Sequence, residues 1–323
     1  MKTVPVENCV HCHVCQKNCD FLTRYGIDIG DTDRLKELAY HCFLCGKCTE
    51  VCPLHIDGRQ TVLDMRRERA ATDERTALEK EYKDVLGEKK EYIFRNYRHV
   101  TSETVFFPGC NFPSMYPKTN KKISEMLYRE AGIGTVYDCC GKPVSEIGFK
   151  DEEDRIVAGI KSRMESNGVT EIVVACPNCR AFLGDRLGIP VVSIYTKLHE
   201  LGLGKAVVGD RQFYVPCPDR IEKQWIEDLK PFVNGEITFV ENCQCCGLGG
   251  LAIGKEPEIS RGFTDRIVHN SDGSISTYCA SCTGRIKRNG FDEISHIITE
   301  IMETYEKPDT GKSYVNRVLT KFK

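Results

Sequence analysis

Nineteen cysteines in 323 residues constrain this chain more than any other feature. They fall in tight groups with two or three residues between neighbours. Thiols so spaced are poorly placed to bridge one another, because a disulfide needs converging Cβ vectors. They are well placed to converge on a metal cluster. Disulfide arrays belong to short secreted chains, whereas in a reducing compartment clustered cysteines favour ligation. The segment Met1-Lys2-Thr3-Val4-Pro5-Val6-Glu7-Asn8-Cys9 has no apolar core of a signal peptide, so a cytoplasmic location is expected. No run approaches the roughly 18 apolar residues of a membrane span, so any membrane association is expected only through a partner. With 41% hydrophobic and 28% charged residues, the composition suits a globular protein of two or three domains. A net charge of −2 offers no basic field for nucleic acid.

Eight cysteines form two runs of one spacing, Cys9-x2-Cys12-x2-Cys15-x3-Cys19 and Cys42-x2-Cys45-x2-Cys48-x3-Cys52-Pro53. This is the spacing of two-cluster bacterial ferredoxins, in which three close cysteines wrap one cubane and the fourth ligates the other. Cys9, Cys12, Cys15 and Cys52 are thus expected to hold one [4Fe-4S] cubane, and Cys42, Cys45, Cys48 and Cys19 a second. A pair of structural zinc sites is the alternative. Asp20 stands where proline often follows the fourth cysteine. Asp33–Tyr40 reads as a short amphipathic helix started by Thr32 or Asp33, with Leu35 and Leu38 on one face. A helical connection of this length resembles the α-helical ferredoxins. His11, His13, His41 and His55 flank these cysteines and read as exposed polar residues at a cluster rim, with tuning of cluster potential as the other reading.

From about Gln60 to Arg95 the chain is highly charged, with an imperfect helical pattern read as two helices broken near Gly87. Arg66, Arg67 and Arg69 read as a solvated helix face, with docking of an acidic partner as the alternative.

After Val100 short β-branched runs end in cysteines, and the pattern repeats. Thr104–Cys110, Thr135–Gly141 and Glu171–Cys179 have counterparts in Gln212–Cys217, Ile237–Gly247 and Ser274–Cys282. Cys217 follows Cys110 by 107 positions, Cys246 follows Cys140 by 106, and Cys282 follows Cys179 by 103. The regularity implies a duplication. Helices are expected between the strands, over Lys121–Glu130 and Glu153–Asn167 in the first copy. Alternating strands and helices imply an α/β fold in each copy, with ligands gathered at the carboxyl ends of the strands.

The recurring Cys-xn-Cys-Cys-Gly-xn-Cys-x-x-Cys resembles the cysteine-rich CCG domain. That domain occurs in the catalytic subunit of heterodisulfide reductase and in the iron–sulfur subunits of glycolate oxidase and anaerobic glycerol-3-phosphate dehydrogenase. The resemblance implies a mixed fold in tandem: an α-helical ferredoxin-type domain (1–60), a helical linker (61–100), two α/β CCG domains related by duplication (101–205 and 206–310) and a C-terminal tail (311–323). It implies two noncubane [4Fe-4S] clusters, one held by Cys110, Cys139, Cys140, Cys176 and Cys179, the other by Cys217, Cys245, Cys246, Cys279 and Cys282. Zinc in one copy stays open. Cys110, Cys139, Cys140, Cys217, Cys245 and Cys246 would carry the chemistry. Cys243 is left over and reads as a spare buried thiol or a surrogate for Cys245. Gly141, Gly247, Gly249 and Gly250 are expected to let backbone pass close to cluster sulfides. Pro108, Pro177, Pro216 and Pro218 are expected to fix the cysteine loops.

No dinucleotide fingerprint or P-loop is present, and Gly132-Ile133-Gly134 follows a helix rather than a strand. Electrons are therefore expected from a flavoprotein or other redox partner. Two functions remain, a disulfide or thiol reductase of heterodisulfide-reductase type and an electron conduit serving a flavoprotein dehydrogenase. A non-redox zinc scaffold is a distant third.

Overall fold

A computed structural model describes residues 5–322. Up to Ile56 the described chain contains only short helices, Val14–Lys17, Asp20–Tyr25, Thr32–Glu37 and Lys47–Val51, with single 3₁₀ turns at Val6–Asn8 and Ala39–His41. Left-handed residues bound three of these four helices: His13 precedes the first, Gly26 ends the second and Gly46 precedes the fourth. The helix expected over Asp33–Tyr40 thus starts at Thr32, after Asp31, and tightens into a 3₁₀ turn. Leu35 and Leu38 are both buried.

The linker holds three helices rather than two, Gly58–Ala70, Glu74–Glu81 and Lys83–Lys89. The first is capped by Asp57, whose side chain accepts from the Gln60 N–H. Its end is fixed by Thr72, whose hydroxyl donates to the Arg69 carbonyl at 2.8 Å. Gly87 lies inside the third helix, and the breaks fall at Ala71–Asp73 and Tyr82. Glycine lowers helix propensity without forbidding the helix.

Arg66 corrects the expectation of a solvated basic face, being 0% exposed. Its guanidinium donates to the carbonyls of Ala39 (3.0 and 2.9 Å), Cys42 (2.7 Å), Glu146 (2.5 Å) and Gly250 (2.8 Å). These carbonyls come from the first segment and from both repeats. A rigid five-donor fork satisfies such a convergence where no neutral side chain can. Arg67 and Arg69 lie nearer the surface, paired with Asp64 and Glu153 and with Glu74.

The duplication is plain in the topology. In the first copy β1 (Thr104–Phe107), β2 (Gly134–Thr135), β3 (Glu171–Val174) and β4 (Val191–Ser193) form a parallel sheet of order β2-β1-β3-β4. β5 (Val207–Val208) begins the second copy, followed by β6 (Arg211–Phe213), β7 (Val233–Asn234), β8 (Ile237–Phe239), β9 (Ile275–Thr277) and β10 (Ile294–His296). Read from its other edge, the second large sheet runs β8-β6-β9-β10, the same order of first to fourth strands, again parallel. β5 pairs with β7 beside it. Val105, Phe106 and Phe107 and Ile172, Val173 and Val174 are wholly buried, as strands covered on both faces require. The expected helices appear, extended to Pro117–Ala131 and Lys150–Ser166. Tyr195 of the first copy meets Trp225 of the second edge-on at 5.8 Å, so the two cores join.

Residues expected as a tail carry a helix, Ser313–Thr320, docked on the first copy. Asn316 donates to the Ser114 carbonyl at 3.0 Å, and the Ser114 hydroxyl donates to the Ser313 carbonyl at 2.8 Å. No helix among the described residues is long and apolar enough to cross a membrane.

Candidate metal centres

In both copies the cysteines follow the carboxyl ends of the strands. The Cys-x-x-Cys pairs show how sequence makes geometry. Cys176 and Cys279 are extended residues capping the helices Pro177–Leu183 and Ala280–Arg288, and Cys179 and Cys282 lie three residues on, in the first turn. The N–H of Cys179 donates to the Cys176 carbonyl at 3.0 Å, and Cys282 does the same to Cys279. One helical turn thus turns both thiols of a pair to the same side.

The thiols of each set touch in the same order. In the first copy contacts run Cys110, Cys139, Cys140, Cys179, Cys176. In the second they run Cys217, Cys245, Cys246, Cys282, Cys279. The middle thiol of each set ionises most readily. Hydrogen bonds from Cys139 and Cys179 draw Cys140 down to about 5. Those from Cys245 and Cys282 take Cys246 well below its ordinary value. All ten are free thiols.

Both sets open on one cavity of about 210 Å³. Its walls include all five cysteines of the first set and Cys217, Cys246, Cys279 and Cys282 of the second. Cys245 lies behind the wall, its thiol against those of Cys217, Cys246 and Cys45. The copies are tied across this space, with Asn111 donating to the Ser281 hydroxyl at 2.7 Å and Asn178 aimed at Cys279 Sγ at 3.8 Å. Arg59, Lys142 and Glu146 supply charge, and Phe43, Leu44, Leu248 and Leu251 supply apolar wall. Lys142 pairs with Glu146. Burial would raise the Glu146 carboxyl, but Lys142 and Arg59 outweigh it and hold it below its usual range.

The first eight cysteines gather in two fours. Cys9, Cys12, Cys15 and Cys52 line a small cavity with Asp28 and Ile29. Cys19 is buried against Cys45 and Cys42, and Cys48 against Cys42, Cys19 and Cys45. Backbone room is made for the thiols: a Cβ on Gly30 would lie 2.7 Å from Cys9 Sγ, and one on Gly58 2.7 Å from Cys48 Sγ. Converging free thiols with glycine-cleared approaches suit iron–sulfur clusters, for which thiolate is the preferred ligand. The glycines expected in this role have another. Gly141 and Gly247 sit at φ +90° and +79°, where a Cβ would strike Ile156 or the Ser260 carbonyl of the following helix. Gly249 and Gly250 pack on the backbone of Phe43 and Cys42.

His11 and His13 both turn Nδ1 to the buried Asp28, at 3.1 and 3.2 Å. His41 pairs with buried Glu256 at 2.6 Å, and His55 is exposed. Cys243 lies outside both sets and donates to the Val240 carbonyl at 3.2 Å. Sequence reasoning missed the cations beside the thiols. Burial would lower Lys89, but Cys110, Cys139 and Glu88 hold it up. Burial would likewise lower Arg220, which Cys45 and Cys217 raise. Arg220 could have been suspected three residues after Cys217, whereas nothing near Lys89 signalled a site.

Such a chain is a double α/β unit whose thiol sets share a cavity. Residues 104–184 and 213–287 match the cysteine-rich CCG domain. The two matched stretches fall one in each repeat, so each repeat carries a CCG match. It is 24% identical to an uncharacterized iron–sulfur protein of Methanococcus maripaludis, over 87% of this chain and 67% of that one. It is 23% identical to a fumarate reductase (CoM/CoB) subunit of Methanothermobacter marburgensis, over 88% of this chain and 68% of that one. A crystal structure of a hypothetical protein from Helicobacter pylori matches with a TM-score of 0.54 and 10% identity, covering 91% of this chain and 68% of that chain, which shows a shared fold alone.

Proposed function

We propose that this chain is the iron–sulfur subunit of an oxidoreductase of heterodisulfide-reductase type, with thiol–disulfide chemistry in the cavity between the two CCG sets. The observation that carries the reading is the convergence of both sets on one space. Cys9, Cys12, Cys15 and Cys52, and Cys19, Cys42, Cys45 and Cys48, would hold cubane clusters. Cys110, Cys139, Cys140, Cys176 and Cys179, and Cys217, Cys245, Cys246, Cys279 and Cys282, would hold noncubane clusters. Bound there, the clusters would supply one-electron redox capacity and affinity for sulfur. The overall reaction is R–S–S–R′ + 2 e⁻ + 2 H⁺ → R–SH + R′–SH, the reverse being thiol oxidation. A site lined from two sides suits a two-electron reaction whose product sulfurs separate. Lys142, paired with Glu146, and Arg59 place positive charge on the cavity wall, which would attract an anionic substituent. Electrons come from a flavoprotein or other redox partner. The relative named as a reductase subunit supports a partnered assembly.

The test is anaerobic. The purified chain should carry about 16 irons in four clusters. With a reduced viologen it should convert one disulfide to two thiols, and alone it should not oxidise NADH. About eight irons with stoichiometric zinc would defeat the CCG half of the proposal. The same relative favours a second reading, a conduit to a partner's active site. Full iron content without disulfide turnover would select it.

A further inference from the structure

We infer that Gln244 is a positioning residue that raises the reduction potential of the cluster held by Cys19, Cys42, Cys45 and Cys48, and that its loop is the junction between that cluster's site and the second CCG set. The inference rests on the proposed ligation of the first eight cysteines.

Gln244 belongs to the second repeat, one residue before Cys245, yet its side chain leaves that repeat. It is 3% exposed. Its Oε1 accepts from the backbone N–H of Asp20 at 3.0 Å. A backbone N–H can only donate, so this contact fixes which end of the amide is oxygen. The Nε2 group is then turned to Cys19 Sγ at 3.2 Å and Cys45 Sγ at 3.7 Å. One amide thereby serves two thiols of one proposed cluster, and both come from the first segment.

The backbone is held as firmly. The Gln244 carbonyl accepts from Arg220, which also pairs with Glu50 at 2.9 Å. The next residue, Cys245, has its thiol against Cys45 on one side and Cys217 and Cys246 on the other. Two consecutive residues thus address two different thiol sets. The first copy has no such arrangement. Its equivalent residue, Asp138, turns to Arg95 and Tyr97 of the 61–100 segment, both at 3.0 Å, rather than to a cysteine of the first segment. A spacer would need neither the amide nor its orientation.

Donors to ligating sulfur withdraw electron density and favour the reduced, more negative cluster. Gln244 itself gains and loses neither proton nor electron. Its effect lies entirely in these hydrogen bonds, made in a water-poor site where they weigh most.

The test is an EPR-monitored redox titration of the full anaerobic chain with Gln244→Leu and Gln244→Glu. Leucine removes the donors at similar size. Glutamate keeps an acceptor for Asp20 N–H while removing the amide donors. We expect both to lower one cubane midpoint by about 59 mV, a tenfold shift in its reduced fraction, with iron content unchanged. The other cubane should hold its potential. Unchanged midpoints at full iron content overturn the inference. So does a wild-type potential in Gln244→Glu beside a shift in Gln244→Leu, which would mean that Gln244 is only a tie to Asp20. If the wild-type chain itself lacks cubane signals, the ligation reading fails as well, so the two failures are distinct.

Discussion

Removing Arg66 should loosen the joint of the molecule rather than any one domain. The guanidinium closes five hydrogen bonds on four buried carbonyls, and those of Cys42, Glu146 and Gly250 belong to three parts of the fold. In Arg66→Met the apolar stem is kept and all five donors go. Each carbonyl left without a partner costs about 1–3 kcal/mol. The Ala39 carbonyl keeps its bond from the Cys42 N–H at 3.3 Å, so at the low end the three carbonyls of Cys42, Glu146 and Gly250 cost about 3 kcal/mol, of the size seen when a buried charge network is broken. That is a large part of the roughly 5–15 kcal/mol that holds a typical domain folded. Arg66→Lys keeps a charge and three donors on a compact head that cannot fork, so about half the loss is expected. The assay is anaerobic denaturant unfolding followed by far-UV dichroism and cluster absorbance, read as separate midpoints because several domains need not unfold together. Limited proteolysis should find new cuts between residues 70 and 100 in Arg66→Met. A variant within about 1 kcal/mol of wild type, with no new cuts, would refute the reasoning.

Three further outcomes are expected. His296 is 1% exposed, its ring nitrogens have no partner among the described residues, and burial depresses it to about 3. The neutral ring's stability is present above about pH 6.5 and is lost as pH falls toward 3, roughly 2 kcal/mol by pH 5. His296→Leu should flatten that slope in pH-dependent unfolding. Cys19→Ala should alter the EPR signal of the cluster whose other proposed ligands are Cys42, Cys45 and Cys48. Loss confined to the cluster of Cys9, Cys12 and Cys15 would show the pairing to be wrong. Gly250→Ala puts a Cβ 2.4 Å from the Cys42 carbonyl at φ +65° and should destabilise by more than about 1–2 kcal/mol. Gly254→Ala, which meets nothing within 4 Å, should be near neutral in the same unfolding assay.

What the sequence made legible was what repeats. Strand-then-cysteine units at matching offsets announced two α/β copies, and the sheets have one strand order. Periodic segments such as Lys150–Ser166 were found within a few residues of their ends. Contacts between distant segments left no trace of this kind. Arg66 read as one of three surface arginines, because nothing local says that four carbonyls will meet there. Gly249 and Gly250 read as room for a cluster, because a glycine's reason lies in whatever approaches it, here the backbone of Phe43 and Cys42. Gln244, between two cysteines, carries no local signal. Its partners, Asp20, Cys19 and Cys45, lie some 200 residues away. The tail helix was missed because eight residues make a weak pattern, and its stability comes from docking on Ser114.

The copies agree where thiols converge and differ in the loop after their second strands. After Cys140-Gly141 the first copy enters the helix Lys142–Ile147 at once, and Lys142 and Glu146 turn toward the cavity. After Cys246-Gly247 the second copy makes a kinked 3₁₀ turn over Gly249–Gly254, with Gly250 and Leu251 left-handed. That kink carries no charged pair to the cavity, but it lets the backbone lie against Cys42 and Phe43. The same loop sends Gln244 to Cys19 and Cys45. One copy therefore spends this loop on cavity charge and the other on contact with the first eight cysteines. Strict twofold symmetry would forbid that division, since each loop would have to do both. Duplication followed by divergence of one loop gives a cavity built from two similar halves and joined to the first eight cysteines from one side. Under the proposed function, that arrangement suits a substrate with two reacting sulfurs and a donor that docks once.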